Sequence, residues 1–305
     1  MALTKELRAA RPPRPGALRR RNTLIGLSFV LPNFIGFAVL TLVPVLALFY
    51  LSFTDWNVFG RANWTGTANL ERLLNDSSFW TALRNTLYYT GVHVPVTMAL
   101  SLALALLLNT RLRGVRFFRT AAFFPYVTSI VAVAAVWNMM FSPDSGPINQ
   151  LLAAAGIADP PGWTTSTDWS MPSVIIVGVW RDLGFYMLLF LAGLQTIPRE
   201  LYEAATIDGA GAWQRFRHVT LPGLRPTTFF ISVICTIGSL KVFDLILVMT
   251  QGGPGQSTLV LSQYIYQKGF VQNQFGYASS ISVVLFLICV SVTLVQFLVN
   301  RRRNA

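Results

Sequence analysis

Long apolar runs separated by short charged connections pattern the whole chain. Residues 22–54, 85–110, 120–143 and 269–300 contain no Asp, Glu, Lys or Arg. Each exceeds the roughly 20 residues that a membrane-crossing helix needs. Two further runs carry two charges apiece: 169–198 holds only Arg181 and Asp182, and 226–250 only Lys241 and Asp244. The pattern predicts an all-α integral membrane protein with six transmembrane helices, near 24–53, 85–109, 120–141, 171–197, 226–250 and 277–299. Pro32 and Pro44 predict a kink or a short interfacial segment in the first. That first run is about twice the length of a signal-peptide apolar core, so it is read as a retained span.

Composition narrows the class. Charged residues make up 12% and hydrophobic residues 53% of the 305. Ordinary soluble domains carry about 25% charge, so a soluble enzyme is excluded, as is disorder. The net charge of +12 is sorted by side. The N-terminal tail (Lys5, Arg8, Arg11, Arg14, Arg19–Arg21), the connection after helix two (Arg111, Arg113, Arg116, Arg119), that after helix four (Arg199, Arg215, Arg217, Arg225) and the C-terminus (Arg301–Arg303) hold most of it. The opposite side has Arg61, Arg72, Arg84 and Lys268. The positive-inside rule places both termini in the cytoplasm of a multi-pass plasma or inner membrane protein. The basic tails then touch anionic lipid of the bilayer. No nucleic-acid partner is expected, because no aromatics interleave the charges. The organisation expected is a flexible basic tail over 1–22, a membrane domain over 23–300 and a basic tail over 301–305.

Between the spans, an outer connection carries Leu70, Leu73, Leu74, Trp80 and Leu83 at near-helical spacing. The connection after helix four is more informative. Pro198 suits a helix start, with Glu200 and Glu203 at its positive end. Leu201, Ala204 and Ala205 share a face on which small residues permit close approach. Gly209 and Gly211 break the helix, and Trp213, Phe216 and Val219 line a second amphipathic stretch that stops at Pro222. The product is a helix, a glycine turn and a helix just inside the membrane. Two uses remain open for it: docking a cytoplasmic partner and transmitting its motion, or simply tying two spans together.

Charges inside a span are costly and point to a wet or paired interior. Lys241 and Asp244 fall at i, i+3 on one predicted helix and can pair. Arg181 and Asp182 are neighbours pointing about 100° apart, so at least one must reach another helix or a cavity. His93 lies mid-span beside Pro95. It reads as a residue bonded to a neighbouring helix, or as a proton relay acting with Lys241 and Asp244 in a proton-coupled secondary transporter. A membrane enzyme lacks support: no Cys/His cluster, Gly-x-Ser-x-Gly or paired carboxylates occur in one span, and Cys235 and Cys289 form no ligand set.

The spacing Glu203-Ala204-Ala205, three residues, Gly209, nine residues, Val219, one residue, Leu221-Pro222 resembles the EAA loop of ABC-importer permeases. Leu31-Pro32-Asn33, Pro44, Leu51 to Trp56, Phe79-Trp80, Asn85-Thr86, Gly146 with Asn149, Leu191 to Leu194 and Thr250-Gln251-Gly252-Gly253-Pro254 resemble the carbohydrate branch of that family, on the MalF/UgpA-like side. The resemblance spans about 22–300. It implies a type I importer permease fold, a MalG-like second permease subunit in a heterodimer, two cytoplasmic ABC ATPases and an extracellular solute-binding protein. It implies coupling to the ATPase through Leu201, Glu203, Ala204, Ala205, Asp208, Gly209 and Ala210. No cofactor is expected on this chain, ATP and Mg belonging to the partner ATPase. None of Lys5, Lys241 and Lys268 precedes Ser or Thr, so there is no Walker A lysine. Sugar contacts carried over by motif fall on Tyr126, Ile130, Gly178, Asp182, Phe185, Gly238, Ser239 and Val242, beside Lys241 and Asp244. Ile130, Gly178 and Val242 donate no side-chain hydrogen bond, which departs from the maltose pattern. Trp137, Asn138 and Trp180 are additional candidates. The solute class stays open among disaccharides, oligosaccharides, amino sugars and glycerol phosphodiesters.

Overall fold

The computed structural model describes residues 15–57, 59–110 and 113–304. Lys5, Arg8, Arg11, Arg14 and Arg111 lie outside them. Residues up to Tyr50 and residues from Leu51 onward form two units, taken separately below.

In the first unit, α1 (Pro15–Phe37) passes through a π-helical turn (Ala38–Leu42) into α2 (Val43–Leu51). The turn stands immediately before Pro44, which has no N–H to continue the ladder. Val43 N–H donates instead to the Ala38 carbonyl. The kink or interfacial segment predicted from the prolines is, near Pro44, a local widening of the helix, while Pro32 lies inside α1.

The second unit consists of helices joined by loops and, among its described residues, has no strand, only one isolated bridge between Thr54 and Trp64. It runs α3 (Ala68–Leu74), α4 (Ser77–Leu108), α5 (Val115–Val127), α6 (Ile130–Met140), α7 (Pro147–Ala154), α8 (Ser170–Thr196), α9 (Arg199–Ile207) and α10 (Ala212–Arg215). A π-helical turn (Phe216–Thr220) leads into α11 (Leu221–Gly223), α12 (Arg225–Leu240), α13 (Asp244–Met249) and α14 (Leu261–Tyr266). A third π-helical turn (Gln267–Val271) and α15 (Phe275–Asn304) complete it.

Three predicted boundaries are corrected. The second span begins at Ser77 because Asp76 caps it, accepting from the N–H groups of Ser78 and Phe79 at 2.9 and 3.4 Å. Arg84 had ended the apolar run there. The third span is two helices, α5 and α6, bent by 97°. Pro125 withholds one N–H, and the Thr128 hydroxyl takes the Phe124 carbonyl at 2.9 Å. The fifth span stops at Leu240 and α13 restarts at Asp244. Lys241 and Asp244 are exposed at the break, where a continuous helix would have carried them through apolar surroundings.

The core centres on α8, which packs along α4 and against α5, while α4 also packs on α12. Glycines on α8 set these distances. A Cβ on Gly184 would overlap the Ala122 carbonyl of α5, and one on Gly193 would strike the Thr227 side chain. The N-terminal half of α4 is clamped to the segment leading into α14 by the Asn85-Thr86 pair. Asn85 Nδ2 donates to the carbonyls of Gln256 and Leu259, both at 2.9 Å, and Leu261 N–H donates to Thr86 Oγ1 at 2.9 Å.

Candidate functional site

A cavity of about 310 Å³ opens between α4, α5, α8 and α12. That is the lower end of the range for small-molecule sites. Its wall includes every residue expected on the solute path: Tyr126, Ile130, Gly178, Asp182, Phe185, Gly238, Ser239, Lys241, Val242 and Asp244. Helical geometry explains the convergence. Gly178, Asp182 and Phe185 lie one above another on α8, Tyr126 and Ile130 flank the α5–α6 corner, and Gly238 and Ser239 end α12.

The wall combines aromatic and charged side chains. Tyr126 and Phe185 stack with centroids 4.4 Å apart and planes 8° from parallel. The Arg181 guanidinium stands 5.5 Å from the Tyr126 ring. Arg181 Nη1 lies 3.4 Å from Asp182 Oδ1 although the two positions point about 100° apart on the helix, and both residues line the cavity, where at least one was expected. The long arginine chain folds back, and both side chains turn to the same opening. Lys241 and Asp244 form no ion pair with each other among the described residues, because the helix that would align them is broken between the two.

Tyr89, His93, Arg181, Tyr186 and Cys235 also line the cavity. Sequence singled out His93 and Arg181 as intramembrane polar residues without placing them on this wall. Tyr89 carried a usable signal, one turn before His93 on the same face. Trp137, Asn138 and Trp180 are not on the wall. Trp137 packs on Phe141 and Trp180, and Asn138 Nδ2 donates to the Val248 carbonyl at 3.3 Å. No group of three His, Cys, Asp or Glu able to hold a metal occurs among the described residues.

The second constellation is the hairpin α9–α11. Pro198 is the cap residue of α9, one position earlier than its expected place inside the helix. Gly209 adopts φ +74° and turns the chain. Tyr202 Oη and Thr220 Oγ1, 3.0 Å apart, lock the two arms together, and Arg215 Nη1 donates to Thr206 Oγ1 at 3.2 Å. Leu201, Glu203, Ala204, Asp208 and Gly209 are exposed, whereas Ala205 and Ala210 are half-buried. Three large apolar side chains stand in the open: Ile207 is 87%, Trp213 69% and Leu201 51% exposed. Exposed apolar side chains of this size are what a contact surface, toward protein or lipid, presents.

Residues 91–305 match the family described as binding-protein-dependent transport system inner membrane component. The lactose transport system permease protein LacF of Rhizobium radiobacter is 40% identical over 94% of this chain and 98% of its own length. The trehalose/maltose transport system permease protein MalF of Thermococcus litoralis is 33% identical over 94% and 97%. A chain from a bacterial ABC transporter that imports the acidic polysaccharide alginate superposes with a TM-score of 0.82. It is 27% identical and covers 93% of this chain and 96% of its own.

Proposed function

Because the chain belongs to the binding-protein-dependent transport system inner membrane component family, we propose that it forms half of the membrane path of an ATP-driven sugar importer. A MalG-like subunit forms the other half, two copies of an ABC ATPase dock in the cytoplasm, and an extracellular binding protein delivers the solute. Both termini are cytoplasmic. The observation that carries this reading is the locked hairpin with Leu201, Ile207 and Trp213 exposed. It is the lever that the ATPase grips through Leu201, Glu203, Ala204, Ala205, Asp208, Gly209 and Ala210. ATP can drive the bundle between inward- and outward-facing states only if the motor binds this hairpin differently in the two.

The cavity supports a neutral sugar. The Tyr126–Phe185 stack offers a flat apolar platform. The charged side chains on the wall balance, Arg181 and Lys241 against Asp182 and Asp244, so no net field favours an anion. Proton coupling through a Lys241–Asp244 pair loses its basis, since that pair is not formed. Reconstitution of the four-component complex in liposomes tests the proposal. Uptake of the sugar that co-purifies with the binding protein should require internal ATP and both permeases. Uptake by this chain alone, driven by a pH gradient, would overturn it.

A further inference from the structure

We infer that His93 is the positioning residue for solute recognition: it fixes the Asp182 carboxylate in the cavity wall so that the carboxylate reads the solute's hydroxyl groups. The inference rests on the cavity being the sugar site.

His93 is 2% exposed on α4 and reaches two other helices. Its Nδ1 is 2.9 Å from Ser239 Oγ on α12. Its Nε2 is 3.5 Å from Asp182 Oδ2 on α8 and 3.4 Å from Thr97 Oγ1 on its own helix. Placing the proton on Nε2 lets the ring donate toward the carboxylate while the Ser239 hydroxyl donates to Nδ1. The opposite tautomer would aim a lone pair at a carboxylate in a poorly solvated interior. The ring has no room to swing. Tyr89 stacks on it at 5.0 Å with planes 12° apart, and a Cβ on Gly178 would come within 2.6 Å of the Tyr89 hydroxyl and 3.3 Å of His93 Cδ2. Ser239, expected to touch solute, is thus committed to His93.

This restraint defines what Asp182 has left to offer. Oδ2 faces the imidazole, while Oδ1 has no hydrogen-bond donor although Arg181 Nη1 is 3.4 Å away. Arg181 Nε is also without a hydrogen-bond partner. Both atoms are sealed from solvent in this structure with their hydrogen-bonding capacity unspent, and a hydroxyl group entering from the cavity, which gives one hydrogen bond and takes another, would supply the partner each lacks. Released from His93, the carboxylate could turn fully onto Arg181, and both groups would be lost to the solute.

A double-mutant cycle in the reconstituted complex tests this, with the sugar retained by the binding protein as substrate. His93→Leu should raise the KM for uptake about tenfold, and His93→Gln, which keeps one donor and one acceptor, should restore most of it. In an Asp182→Asn background, His93→Leu should change uptake less than about twofold. Equal losses in both backgrounds would reduce His93 to a packing residue and overturn the inference, leaving the cavity reading intact. An Asp182→Asn variant with normal uptake would instead sink the cavity reading itself. A solute-free measurement guards against variants that fail to fold. The chain has two histidines, His93 and His218, so ¹⁵N-histidine spectra in nanodiscs, assigned with His218→Gln, should show His93 protonated at Nε2. They should also show a shift of that nitrogen in Asp182→Asn, and its absence would count against the contact.

Discussion

Gly184 of α8 lies against the backbone carbonyl of Ala122 in α5, with no room for a side chain between them. This contact brings Phe185, the next residue, face to face with Tyr126. Gly184→Ala should destabilise the protein by about 1–3 kcal/mol, the usual cost of overpacking, and should separate the stacked rings. Thermal unfolding in detergent would show the first effect and raised KM at normal ATPase activity the second. Gly26, whose Cβ would meet nothing within 4 Å, provides the control: Gly26→Ala should be silent.

Gly209 presents a different constraint. Its surroundings are open, but its φ of +74° is one that L side chains rarely adopt. Gly209→Val should leave the amount of inserted protein unchanged and distort the α9–α11 turn. ATP hydrolysis by the assembled complex should then continue while uptake falls at least about tenfold, a loss of coupling worth about 1.4 kcal/mol. Normal uptake by this variant would remove the hairpin from the mechanism.

Asp76 predicts an acid limit. Burial alone would push its carboxyl up, yet hydrogen bonds from the Tyr264 and Tyr277 hydroxyls and from Ser78 and Phe79 N–H groups hold it below its ordinary value. A carboxyl lowered in the folded state stabilises above its unfolded pKa, and this stabilisation is lost as pH falls through the folded one. The melting temperature should therefore fall as pH drops below about 4. Asp76→Asn should lower stability at neutral pH and flatten that acid-side decline.

Lys241 and Asp244 stand at opposite ends of a helix break without pairing. Lys241→Gln and Asp244→Asn should therefore affect uptake independently, and the double variant should equal the sum within about 0.5 kcal/mol. Mutual rescue would show that they pair during the transport cycle.

Sequence reading succeeded where one strong local rule applied. Apolar length located the spans, and helical spacing with a glycine stop located the α9–α11 hairpin. Of the residues expected on the solute path, Gly178, Asp182 and Phe185 share one wall because i, i+4 and i+7 positions must share a face. It failed where the outcome depended on partners distant in the chain. The Asp76 cap extended α4 past Arg84, the Thr128 hydroxyl competed for a helix carbonyl, and the helix broke between Lys241 and Asp244. The His93–Asp182 contact joins residues on different helices, and no periodicity encodes it.

The 97° corner at Thr128 and Ser129 bears on how the third apolar run meets the bilayer. At about 1.5 Å per residue, neither arm crosses a hydrocarbon layer about 30 Å thick. Lipid cannot satisfy the backbone where helical bonding lapses. The backbone groups freed at the corner must therefore be satisfied by protein or by water in a cavity.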